Sequence, residues 1–139
     1  MKKKTKTQTV YKVVVKQDDK FWSYCQFLGI DKYALQYDLG KTTVPTMGKI
    51  FVFQKLKDAK SFVAIEDILE EAYILKGIAV NPETSEWCCG PEAALEIFWN
   101  CKKEDKVGSS LFMSIRFHSP QGSLFCDSFT PKTILKNNQ

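Results

Sequence analysis

GKIFVFQKLKDAKSFVAIEDILEEAY, residues 48–73, joins a strand signal to a helix signal. Ile50, Phe51, Val52 and Phe53 follow a glycine and are all β-branched or aromatic, which reads as a short buried strand. From Leu56 the apolar positions recur at three- and four-residue steps, through Ala59, Phe62 and Val63 to Ile65, Leu69, Ala72 and Tyr73, and so line one side of a helix. A lone helix cannot bury that side. It must lie on a sheet, and strand candidates stand before and after it. The expectation is an α+β domain: a twisted, mostly antiparallel sheet with this mid-chain helix packed on one face. Glu66-Asp67 interrupts the apolar side, and Asp67 with Glu70 has capping-box spacing, so two short helices are one reading. The other makes Ala72–Val80 a strand. Gly77 disfavours a continued helix, and the strand is expected near Tyr73 to Ala79.

Upstream, residues 1–9 are polar and rich in Lys and Thr, a disordered basic arm ahead of a single domain over residues 10–139. In Val10 to Lys16, Val10, Lys12, Val14 and Lys16 alternate with Tyr11, Val13 and Val15, and the wholly apolar Tyr11 side is expected to face inward. Gln17-Asp18-Asp19-Lys20 is a polar turn that returns the chain antiparallel. Phe21 to Phe27 then forms a strand with Trp22 and Tyr24 on one face and Cys25 beside Phe27 on the other. Tyr33 to Leu39 makes a third, before a loop over Lys41 to Gly48.

Downstream, Pro91 to Trp99 reads as a short helix with Pro and Glu in its first turn. A charged linker over Asn100 to Ser110 follows. Leu111, Met113, Ile115 and Phe117 alternate with Phe112, Ser114, Arg116 and His118 as a strand, and Ser119-Pro120-Gln121-Gly122 supplies a turn. Leu124 to Phe129 is the expected hairpin partner. Thr130-Pro131 offers an N-cap and a first-turn proline for a last helical turn over Lys132 to Lys136.

YKVVV at residues 11–15, YDLGKTTVPTMGKIFVF at 37–53, KDAKSF at 57–62 and PQGSLFCDSFTP at 120–131 together resemble a group of small uncharacterised prokaryotic and phage proteins of this size. The shared pattern is one of strand, turn and packing residues. What the resemblance implies is a fold, with no activity attached.

Length and composition fit one globular domain. A chain of 139 residues buries about two-thirds of its unfolded surface without staples, and ten Phe, five Tyr and three Trp supply an aromatic core. No run of eighteen apolar residues occurs, so no transmembrane helix is expected. Polar residues follow the first lysines where a secretion signal needs an apolar stretch. Five cysteines, an odd number with Cys88 and Cys89 adjacent, fit a reduced cytoplasmic protein better than a disulfide framework. The net charge of +4 belongs to the arm: without Lys2, Lys3, Lys4 and Lys6 the chain has as many basic as acidic side chains. Eight carboxylates between Glu66 and Glu96 face Lys76 alone, which disfavours nucleic acid on that side.

Chemistry is sparsely marked. GxSxG, P-loop, GxGxxG and HExxH patterns are all absent. His118, Cys126 and Asp127 are the candidates for a thiol hydrolase, as base, nucleophile and orienting carboxylate. Cys88, Cys89, Cys101 and His118 are the candidate zinc ligands, against which stands the lack of any CxxC. Neither set is compelling, and no cofactor is expected. A Lys/aromatic strand face of Lys12, Lys16, Lys20, Trp22 and Tyr24 could hold single-stranded nucleic acid by phosphate contacts and stacking. Trp22 and Tyr24, beside Tyr33 or Tyr37, could instead anchor a protein partner, the simplest being a second copy in a homodimer. The expected role is a non-enzymatic protein-binding or accessory module. Single-stranded nucleic-acid binding and a small Cys/His-dependent enzyme are the alternatives.

Overall fold

The computed structural model describes residues 5–17, 19–23, 35–45, 48–65, 72–84, 86–88 and 92–136, with the side chains of all of these except 17, 92–96, 117 and 136. In chain order the elements are β1 (Thr7–Gln17), β2 (Lys20–Ser23), β3 (Gln36–Tyr37), β4 (Ile50–Phe53), α1 (Leu56–Ile65), β5 (Ala72–Val80), β6 (Trp87–Cys88), α2 (Glu92–Lys103), α3 (Ser110–Ile115), β7 (Phe117–His118), β8 (Ser123–Cys126) and β9 (Ser128–Lys136). Seven of the strands form one open antiparallel sheet, and β6 pairs with β7 separately. No helix among the described residues is long and apolar enough to cross a membrane.

β1 is the hub. It pairs with β5 along most of its length, from Thr7 opposite Val80 to Val15 opposite Ala72. Its other side meets β2 through a hairpin whose turn residue Asp19 adopts φ 63°, and meets β4 where Tyr11 lies opposite Phe53. β8 extends the sheet from β4, and β9 extends it from β5. The sheet curls so far that the loop leaving β3 reaches β9. Gly40 N donates to Pro131 O at 2.8 Å, and Thr43 exchanges both main-chain bonds with Phe129.

Both faces of the sheet are therefore covered. On one face α1 lays Ala59 and Val63, with Leu56 and Phe62, on Val13, Phe53, Ala72 and Ile74, as the three- and four-residue spacing requires. Ile65, counted in that apolar series, is instead 79% exposed at the helix end. The other face closes on itself around Val10, Val14, Tyr37, Val52, Leu75, Cys126 and Phe129. Each large side chain so buried stabilises the fold by roughly 1.5–3 kcal/mol. This corrects the expectation for β1: the side carrying Val10, Lys12 and Val14 is as buried as the Tyr11 side, and Lys12 itself is 7% exposed. Its ammonium escapes isolation by donating to Phe51 O at 2.6 Å, in the curl of the sheet.

Residues 72–80 are a strand, as expected from Gly77, and Ile74, Leu75 and Ala79 are all fully buried because β5 lies between β1 and β9. Gly77 has a second reason for being glycine. A Cβ there would overlap Thr130 O and stand 2.8 Å from Pro131 Cα, where the β5–β9 register shifts by a bulge.

Several expectations fail. Thr7 to Thr9 belong to β1 and not to a disordered arm. α2 runs on to Lys103, four residues into the supposed linker. Residues 111–115 form a helix, not a strand: Ser109 caps it by accepting from Phe112 N at 3.2 Å, and Phe112 stacks on Phe98 at 5.2 Å. Leu111 and Met113, on the side of that helix away from Phe98, are 54% and 50% exposed. The expected hairpin does not form, because β7 pairs with β6 while β8 pairs with β4. The turn between them survives one residue later, with Ser123 N donating to Pro120 O and Gly122 at φ 76°. Residues 132–136 continue β9 instead of forming a helical turn, since pairing with β5 satisfies more main-chain groups than one isolated turn would. The capping-box residues Asp67 and Glu70, and Tyr24, Cys25, Tyr33 and Cys89, lie outside the described residues.

Candidate functional site

His118, Cys126 and Asp127 go to three different surroundings. His118 is exposed on β7, its ring 4.5 Å from that of Trp87, which also carries the Arg116 guanidinium at 3.7 Å. Cys126 is fully buried in β8, and burial pushes its thiol up to about 12, only partly offset by the charge of Lys12. A thiol held so firmly protonated is a core residue rather than a nucleophile. Asp127 faces outward to Lys49 Nζ at 3.1 Å and Asn81 Nδ2 at 2.9 Å. None of the three is hydrogen-bonded to another.

The zinc candidates are likewise dispersed. Cys88 lies by β7 with its thiol 3.8 Å from His118 O, and burial raises its pKa. Cys101 packs with Phe98 and Phe112 in the core between α2 and α3. Among the described residues no three His, Cys, Asp or Glu side chains are grouped to hold a metal.

The Lys/aromatic set is split by the register of the first hairpin. Lys16 lies opposite Phe21 and Val15 opposite Trp22, so Trp22 is on the other face from Lys12 and Lys16. Lys12 is buried, Lys16 leans 6.0 Å over the Tyr73 ring and pairs with Asp19, and Lys20 is exposed. Tyr37 is core, edge-on to Phe129 at 5.9 Å. Trp22 is half-buried. Short RNA or DNA is therefore expected to give no salt-dependent change in fluorescence anisotropy up to about 100 μM protein; binding that weakens steeply with salt would show a basic surface of another kind.

The most developed polar cluster was not marked in the sequence. Lys49 Nζ bridges Glu83 at 3.0 Å and Asp127 at 3.1 Å, while Asn81, at φ 52°, donates to Asp127 and accepts from Lys6 N. Beside it Lys102 Nζ stands 5.3 Å from the Trp99 and Phe125 rings, and burial lowers its pKa. These contacts fasten the start of β4, the end of β5, the β8–β9 bend and α2. Their chemistry is that of a clamp. The Asn81 hydrogen bond, and then Lys49, hold the Asp127 carboxyl below its ordinary 3.8. A depressed folded value means stability present above the unfolded pKa and lost as pH falls through the folded one. The melting-temperature gap between wild type and Asp127→Asn should therefore be open at neutral pH and close below about pH 4. An unchanged gap in acid would remove the clamp from Asp127.

One main-chain feature remains open. Phe129 spends its N–H and C=O on Thr43, so opposite Ala79 the β5–β9 pair is not bonded; strand alternation repeats this at Gly77 and at Leu75. Ile134, opposite Leu75, consequently turns its main chain outward. Gly40 and Thr43 cover the edge at Pro131 and Phe129, and among the described residues nothing pairs with it from Lys132 to Lys136. Ile134 is also 39% exposed.

A scan against protein-family models, a search of curated proteins and a search of solved structures find no match to this chain.

Proposed function

We propose that this chain is a non-enzymatic protein-binding module that takes up an extended segment of its partner along the outer edge of β9. The observation that carries the reading is Ile134, whose main-chain donor and acceptor face outward on an edge that nothing covers among the described residues and whose side chain is accessible beside them. An extended segment laid there gains a ladder of main-chain bonds and one apolar contact, the elements of strand addition. The separate surroundings of His118, Cys126 and Asp127 support a binding role over a hydrolytic one. The free thiols of Cys88, Cys101 and Cys126 support a reducing, cytoplasmic setting.

A photo-crosslinking amino acid at position 134, in cells producing the protein, tests the reading against the same group at exposed Lys57 on α1. A discrete protein adduct from position 134 alone is expected. Equal adducts from both positions, or none from 134, would remove the proposal.

A further inference from the structure

We infer that the segment β9 accepts is acidic and comes from a different chain, not from a second copy of this one. The inference rests on the strand-addition reading and adds the chemistry of the partner. β5 and β9 carry Lys76, Lys132 and Lys136 and no Asp or Glu. Lys76 lies opposite Thr133, and both it and Lys132 are exposed, so the open stretch beside Ile134 is basic where it begins and on its neighbouring strand. Lysines at a sheet edge are a common bar to edge-to-edge pairing. Here that bar is selective. A second copy laying its own β9 along this edge would bring the same lysines and no carboxylate to meet them, and like charges brought together across a strand pair are unfavourable. A strand with Glu or Asp at those places would meet the same lysines as partners, which favours its association and its register.

The probe is a short fluorescein-labelled peptide alternating Glu and Val, compared with one alternating Lys and Val. Anisotropy should show the acidic peptide binding at least about tenfold more tightly, with the preference shrinking in high salt. Amide exchange at Ile134 should slow when it is bound. Lys132→Glu, on the exposed side of the strand, should reduce the preference without lowering the melting temperature. Equal binding of both peptides with Ile134 protected would overturn the acidic partner and keep the edge. Failure of both peptides to protect Ile134 would overturn the acidic partner and the edge together. Self-association by sedimentation that is lost in Ile134→Pro, in protein whose melt is unchanged, would identify a second copy as the occupant and sink the inference.

Discussion

Phe129→Ala is expected to destabilise the fold by about 3–5 kcal/mol, a large part of the roughly 5–15 kcal/mol that holds a domain of this size. Phe129 is fully buried where the sheet closes on itself, among Val10, Leu75, Ala79 and Cys126, with the Tyr37 ring edge-on to it. Its main chain is held by Thr43, so the neighbouring backbone has little freedom to collapse into the space left by the ring. Urea unfolding followed by tryptophan fluorescence measures the loss. Val44→Ala, in the same loop region but 63% exposed, should change stability by no more than about 0.5 kcal/mol. If the two variants lost similar amounts, the curled face would not be a packed core.

Gly77→Ala should cost about 2–3 kcal/mol, opposite in sign to the gain of about 0.4–1 kcal/mol that the same change gives where alanine fits. The atoms a new Cβ would meet are Thr130 O, Pro131 Cα and the Phe129 ring. Two of these are main chain, and no rotamer change moves them aside. β9 must lift at its bulge, so amide exchange across Thr130 to Leu135 should quicken along with the fall in melting temperature. Gly108→Ala is the control, because nothing stands within 4 Å of a Cβ there. A Gly77→Ala protein as stable as wild type would mean that β9 yields at the bulge without penalty.

The parts of the fold legible in the sequence are those where burial is one-sided and local. Ala59 and Val63 fall on the buried side of α1 because only one side of that helix meets the sheet. β5 was legible because an apolar run broken only by Lys76, with a glycine that disfavours helix, suits a strand between two others. Lys12 misled because a lysine ordinarily marks the solvent side, whereas its reach to Phe51 O lets it sit inside the curl. Residues 111–117 fit two periods at once: they alternate, but Phe112 and Ile115 are also one helical turn apart, and Ser109 stands where an N-cap must. The cap was the deciding residue. Thr130-Pro131 imitated a helix start, but an edge strand tolerates a proline because its outward N–H has no ladder bond to lose.

The site residues were less legible for a different reason. Lys49, Glu83 and Asp127 meet only because β4, the β5 exit and the β8–β9 bend converge, and no local pattern records that meeting. The open edge at Ile134 depends on where the loop after β3 stops bonding, which sequence periodicity does not encode. Lys12, Lys16 and Trp22 were assigned to one functional surface from proximity in sequence, and the hairpin register divides them.

The hub position of β1 also imposes an order on how the protein is made. β1 emerges from the ribosome ahead of the other strands, yet its longest partner is β5, and β5 waits for β9 at residues 128–136 before its second edge is satisfied. Until then the loop at Gly40 and Thr43 has no strand to grip. Pairings between such distant segments form slowly, on the order of milliseconds to seconds. Throughout that interval the Ile74-Leu75 stretch is an apolar strand with an unsatisfied edge, the kind of intermediate that aggregates or recruits chaperones. Nascent chains stalled after β8 should accordingly stay protease-sensitive, with resistance appearing only once Lys136 has cleared the ribosomal exit; resistance before that point would place the folding commitment in the first half of the sheet.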